Sequence, residues 1–118
     1  QRGHLCADIR NRRDPRCCLR GKKFNIATLC FGHAGDGNIH VNFMTREEED
    51  PQVDQAVAEL FERTVALGGS ISGEHGIGIT KAPFLGLEMG IRERRLLADI
   101  KKLFDPKNIL NPGKMDLG

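Results

Sequence analysis

Residues 25–31 (Asn-Ile-Ala-Thr-Leu-Cys-Phe) form a short apolar run rich in β-favouring side chains and predict a buried strand. Residues 39–44 alternate Ile, His, Val, Asn and Phe before Met44, and predict its hairpin partner. Between the two lies Asp36-Gly37, a pair suited to a tight turn because both central residues of a type I′ turn need positive φ. A turn centred there sets Gly35 opposite Asn38, His33 opposite His40 and Phe31 opposite Asn42. Side chains alternate across a strand, so His40 and Asn42 share one face. Directly opposed residues have Cβ atoms roughly 5 Å apart, close enough for His33 and His40 to grip one small ion.

The period then changes to that of a helix. Val53, Val57, Leu60, Thr64 and Leu67 step by three and four, widened by Ala56, Phe61 and Val65, and predict an amphipathic helix over 51–67. Asp50 suits its N-cap, Pro51 its first position and Gly68-Gly69 its stop. Ser70-Ile71-Ser72-Gly73-Glu74-His75-Gly76-Ile77-Gly78-Ile79 reads as a short strand running into a glycine-rich loop. A turn-rich stretch follows through Gly90. Ile91 to Phe104 predicts a second amphipathic helix, with Leu96, Leu97, Ile100, Leu103 and Phe104 as its stripe and Asp105-Pro106 as its end. Asn108 to Lys114 reads as a rigid turn. Residues 1–22 show no clear period, and Asp14-Pro15 breaks any helix, so the expectation is a poorly ordered basic arm followed by a domain over 23–118.

Charge sharpens that division. Residues 1–22 carry seven Lys/Arg against Asp8 and Asp14, whereas the remainder is mildly acidic and is no nucleic-acid surface. At 118 residues there is enough chain for one domain with a modest core, and no apolar run approaches the ~20 residues of a membrane helix. The cysteines, at 6, 17, 18 and 30, lack Cys-x-x-Cys spacing and read as reduced thiols of a cytoplasmic chain. The chain begins with Gln1 and is expected to be a fragment.

The residues able to carry chemistry are His33, Asp36, His40, Asn42, Glu74 and His75. Imidazoles with one carboxylate suit zinc or a transition metal and leave positions open for water or substrate. At the end of a strand, the adjacent Glu74 and His75 side chains are expected to diverge, one ligating metal and the other facing substrate. Simpler readings stand beside these. A strand histidine is commonly a hydrogen-bonded structural residue, Asp36 suits an Asx turn, and Lys81 reads as a surface lysine. Gly76-Ile77-Gly78 fits neither the P-loop nor the dinucleotide fingerprint.

Three ordered motifs carry a resemblance: Gly32-His33-Ala34-Gly35-Asp36-Gly37-Asn38-Ile39-His40, Ser70 to Gly78, and Asp105-Pro106 through Ile109-Leu110-Asn111-Pro112-Gly113-Lys114. Over about residues 24–116 the chain resembles the C-terminal part of the FAD-linked oxidases of the vanillyl-alcohol-oxidase type. That group includes the glycolate oxidase flavin subunit, D-lactate dehydrogenase and D-2-hydroxyglutarate dehydrogenase. The resemblance implies an FAD-dependent enzyme that oxidises a D-2-hydroxy acid to the 2-oxo acid. It implies His33, His40 and Glu74 as ligands of a divalent metal (zinc, manganese or iron) and His75 as the base. It also implies Asn42 at the substrate and Asn111 near the flavin ring. The implied partners are a small 2-hydroxy acid, a missing FAD-binding domain or subunit, and an iron–sulfur or other electron-transfer protein.

The expected fold is α+β: part of a ferredoxin-like substrate domain, a β-hairpin plus a short strand covered by two helices. Two other readings stay open, a non-redox module in which His33, His40 and Glu74 bind zinc, and a structural remnant without ligand. Residues 1–22 do not recognisably supply the basic side chains that hold the substrate carboxylate in the family, so the fragment alone is expected to be inactive.

Overall fold

The computed structural model describes residues 4–10, 23–33, 35–45 and 50–115, the first stretch by its backbone path. The chain is an α+β protein that divides into two compact units, Gln1–His75 and Gly76–Gly118. In the first unit, strands β1 (His4–Arg10), β2 (Ala27–His33) and β3 (Asn38–Met44) form an antiparallel sheet in the order β1-β3-β2. Helix α1 (Pro51–Ala66) follows and lies against β1.

β1 falls within residues 1–22, the stretch expected to be a poorly ordered arm. Leu5, Ala7 and Ile9 alternate with His4, Cys6, Asp8 and Arg10, which is the period of a strand, and pairing runs from His4↔Met44 to Arg10↔Asn38. The arginines that follow hid this alternation when the stretch was taken as one block. Residues 11–22 lie outside the described residues.

The hairpin forms with a different register. Residues 34–37 connect β2 to β3, and the Asp36 N–H donates to the His33 carbonyl at 3.0 Å. Gly37 then takes a positive φ of 71°. The longer connection sets Phe31 opposite His40 and His33 opposite Asn38, in place of the pairs expected from a two-residue turn. A slip of two residues preserves the face of every side chain, so His33, Asn38, His40 and Asn42 still share one side of the sheet. Gly32 sits between the two shifted pairs, opposite Ile39, with φ of 150°. A Cβ there would lie 2.3 Å from the Asn38 carbonyl oxygen, so the close approach of the strands requires glycine.

On the other side of the sheet Val41 and Phe43 are fully buried, joined in the core by Val53, Ala56, Val57, Leu60, Phe61 and Thr64 of α1 and by Ile71. Burying each large apolar side chain contributes about 1.5–3 kcal/mol. Asp50 caps α1 by accepting from the Gln52 N–H at 2.9 Å, and Gly68, at φ 74°, ends it. The strand expected at Ser70 is reduced to one bridging residue. The Ser70 hydroxyl donates to the Ser72 carbonyl at 3.0 Å and accepts from the Ser72 N–H, offering the backbone a local alternative to a ladder. Cys30 is disulfide-bonded, contrary to the expectation of four reduced thiols.

The second unit holds a 3₁₀ turn (Ala82–Phe84), the single-turn helix α2 (Leu85–Glu88) and α3 (Ile91–Phe104), followed by turns. α3 has the expected bounds, yet none of its residues is buried. Leu96, Ile100, Leu103 and Phe104 of its apolar stripe are exposed. Asp105, which is buried, organises its end. Its carboxylate accepts from the Lys101 ammonium and from the backbone N–H groups of Ile109 (2.9 Å) and Leu110 (2.8 Å). The Lys101 hydrogen bond, aided by those two N–H groups, holds the Asp105 carboxyl below its ordinary value. Lys81 is buried, not a surface residue. Among the described residues no helix is long and apolar enough to cross a membrane.

Candidate metal and substrate site

β3 places His40 at the centre of the sheet face left uncovered by the α1 core. Its imidazole is nearly buried, with Phe31 on one flank at 5.1 Å between ring centroids. The segment after Ser70 brings Glu74 and His75 to the same place. Glu74 Oε1 lies 2.9 Å from His40 Nε2 and 3.8 Å from His75 Nε2. The His40 and His75 rings stack at 5.1 Å with 27° between their planes. Adjacent residues on a strand would diverge. These converge because the segment bends instead of extending, which frees them from the two-residue alternation.

His40, Glu74 and His75 thus offer three ligand atoms within 4.8 Å of one another, around one buried imidazole and two solvent-facing groups. Two imidazole nitrogens and a carboxylate oxygen are the donor set of zinc and of several first-row metals, whose bonds to such atoms are about 2.0–2.2 Å long. The donors fit a divalent metal with a modest contraction of the cluster.

The expected ligand His33 is outside this cluster: it is exposed, at the end of β2 and opposite Asn38. It lies on the same face as His40, one diagonal step away, and Cβ atoms on such a diagonal are roughly 7–8 Å apart or less. Asn42 is half-buried on that face, with a buried Oδ1 that has no hydrogen-bond partner among the described residues. Asp36 is an exposed turn residue. Asn111 belongs to the second unit, on an exposed turn with φ of 48°, a conformation that asparagine tolerates. Two residues of the face were missed from sequence, Phe31 and Asn38. Phe31 needed the true register to be placed beside His40, and Asn38 was passed over as part of the turn.

The family model for FAD linked oxidases, C-terminal domain, matches residues 3–115. The chain belongs to this family. The match takes in β1 as well as the hairpin, the Glu74-His75 segment and the tail. The chain is 47% identical over 96 residues to the glycolate oxidase subunit GlcD of Bacillus subtilis, covering 79% of this chain and 20% of that protein. It is 44% identical over 94 residues to a D-lactate dehydrogenase of Archaeoglobus fulgidus, covering 80% of this chain and 21% of the relative. Identity to the mitochondrial D-2-hydroxyglutarate dehydrogenase of Arabidopsis thaliana is 41% over 98 residues, or 82% of this chain and 18% of the relative. The chain therefore spans about a fifth of the length of these curated relatives.

Proposed function

We propose that this chain is the metal- and substrate-binding portion of an FAD-dependent oxidoreductase that converts a D-2-hydroxy acid to the 2-oxo acid. The observation that carries the reading is the approach of Glu74 to the buried His40, with His75 stacked beside them, in a chain matched along nearly its whole length by an FAD-linked oxidase family. The names of the relatives point to glycolate, D-lactate and D-2-hydroxyglutarate as the substrate class. The fold is proposed to be part of a ferredoxin-like substrate domain.

His33, His40 and Glu74 would hold a divalent metal (zinc, manganese or iron), and Asn42 would offer its free Oδ1 to the substrate. His75, more than half exposed, would take the hydroxyl proton while its neighbour Glu74 served the metal. When bound, the metal would supply Lewis-acid charge at the substrate oxygens and the flavin would supply hydride-acceptor chemistry. The flavin would be held mainly by a separate FAD-binding part of the enzyme, with Asn111 near its ring, and an iron–sulfur or other protein would then receive the electrons. A second reading, a zinc module without redox chemistry, is favoured by the existing His40–Glu74–His75 cluster, which already presents three donors.

The test is reconstitution: the chain is co-expressed with the FAD-binding part of the Bacillus subtilis relative, and flavin bleaching is followed on adding D-lactate, glycolate or D-2-hydroxyglutarate. Bleaching that is lost in His75→Ala supports the oxidoreductase. A bound flavin that no hydroxy acid reduces contradicts it and favours the zinc module.

A further inference from the structure

Asn38 is 8% exposed, yet its Oδ1 has no hydrogen-bond partner among the described residues. A buried acceptor is ordinarily hydrogen-bonded, so a donor for this oxygen is to be sought among the groups near it. In the register Asn38 has two cross-strand neighbours, Arg10 on β1 and His33 on β2. Of the two, His33 belongs to the proposed metal set, and it shares the face that carries His40. His33 is exposed, and it forms with Asn38 a cross-strand pair with Cβ atoms roughly 5 Å apart. An imidazole that ligates a metal through one nitrogen keeps an N–H on the other, and that N–H ordinarily finds a carbonyl or carboxylate oxygen.

We propose that Asn38 is the positioning residue for His33: its Oδ1 accepts the ring N–H that His33 retains when its other nitrogen ligates the metal. The inference rests on the proposed metal site and adds what selects the third ligand. With His33 folded inward against Asn38, the diagonal to His40 is spanned by a single ion and Glu74 completes the set. His75 is then released from the cluster to act on substrate. Without the Asn38 acceptor, His33 loses its orientation and the compact His40–Glu74–His75 arrangement is what remains. Asn38 touches neither substrate nor metal in this scheme.

The experiment uses the whole chain and zinc alone. Zinc affinity is measured by competition with a chromophoric chelator for the parent, Asn38→Leu, Asn38→Asp, His33→Ala, His40→Ala and His75→Ala. Long-range ¹H–¹⁵N spectra report the His33 ring tautomer, and circular dichroism verifies folding. Asn38→Leu is expected to weaken zinc binding about 10–100-fold, as loss of an outer-shell partner does. Asn38→Asp, which keeps an oxygen at that position, restores it to within about threefold on the same basis. His33 should show one fixed tautomer in the zinc-loaded parent and Asn38→Asp proteins, and none in Asn38→Leu. His75→Ala should leave affinity near the parent value. If Asn38→Leu binds zinc like the parent while His40→Ala does not, the positioning role is overturned and the metal site stands. If Asn38→Asp weakens binding as much as Asn38→Leu, Asn38 is only a structural residue of β3 and the proposal is overturned. If the parent binds no zinc, the site and the inference fall together.

Discussion

Replacing Gly32 with alanine tests the register on which the site depends. Gly32 has φ of 150°, and an added Cβ would meet the Asn38 carbonyl oxygen at 2.3 Å. The obstacle is backbone, so no side-chain rotation relieves it. Overpacking of this kind costs about 1–3 kcal/mol, and holding a non-glycine residue in an unfavourable backbone region about as much again. The sum, about 2–6 kcal/mol, is a large share of a typical domain stability of roughly 5–15 kcal/mol. At around 4 °C per kcal/mol for a domain of this size, the melting temperature should fall by at least about 8 °C. Gly35 is the control, since nothing lies within 4 Å of its added Cβ and its φ is not among the positive values. Gly35→Ala should leave stability unchanged or raise it by up to ~1 kcal/mol. Urea titrations followed by far-UV circular dichroism compare the two. Because the Gly32↔Ile39 pair lies between Phe31↔His40 and His33↔Asn38, Gly32→Ala should also weaken metal binding. A Gly32→Ala protein as stable as Gly35→Ala would refute the close approach and with it the four-residue connection.

Other perturbations have equally definite outcomes. Leu60→Ala removes a side chain that is 1% exposed and should cost about 2–5 kcal/mol in a urea titration. Asp50→Ala, which loses the cap on the Gln52 N–H, should cost about 1 kcal/mol by the same measurement. Asp105 has a folded pKa below its unfolded value, so its ionised form stabilises the fold above about pH 4 and that contribution is lost as pH falls through the folded value. Thermal melts between pH 7 and 3 should decline less steeply for Asp105→Asn than for the parent, and equal slopes would contradict the role given to the Lys101–Asp105 contact.

The alternation over 39–44 and the three-four spacing over 51–67 were legible because each element buries one face against a core of its own unit. The turn was legible in place but not in length: Asp-Gly signals where a chain reverses, whereas the connection's length depends on which hydrogen bond closes it, here Asp36 N–H to the His33 carbonyl. That difference left His33, His40 and Asn42 on one face but gave His40 the partner Phe31 in place of His33. β1 was hidden by composition, since a seven-residue alternation is diluted by the arginines beyond it. The α3 stripe announced a helix without naming what covers it, and Leu103 and Phe104 remain exposed. Glu74-His75 was legible as chemistry, but its geometry was not, because a bend at Ser70–Gly73 is decided by local serine hydrogen bonds.

The most direct measurement is a calorimetric titration of the chain with zinc, beside His40→Ala and Glu74→Gln. The account predicts one zinc bound per chain by the parent and at least about tenfold weaker binding in both variants. Equal binding by all three proteins, or none by the parent, would contradict the assignment of this sheet face as a metal site.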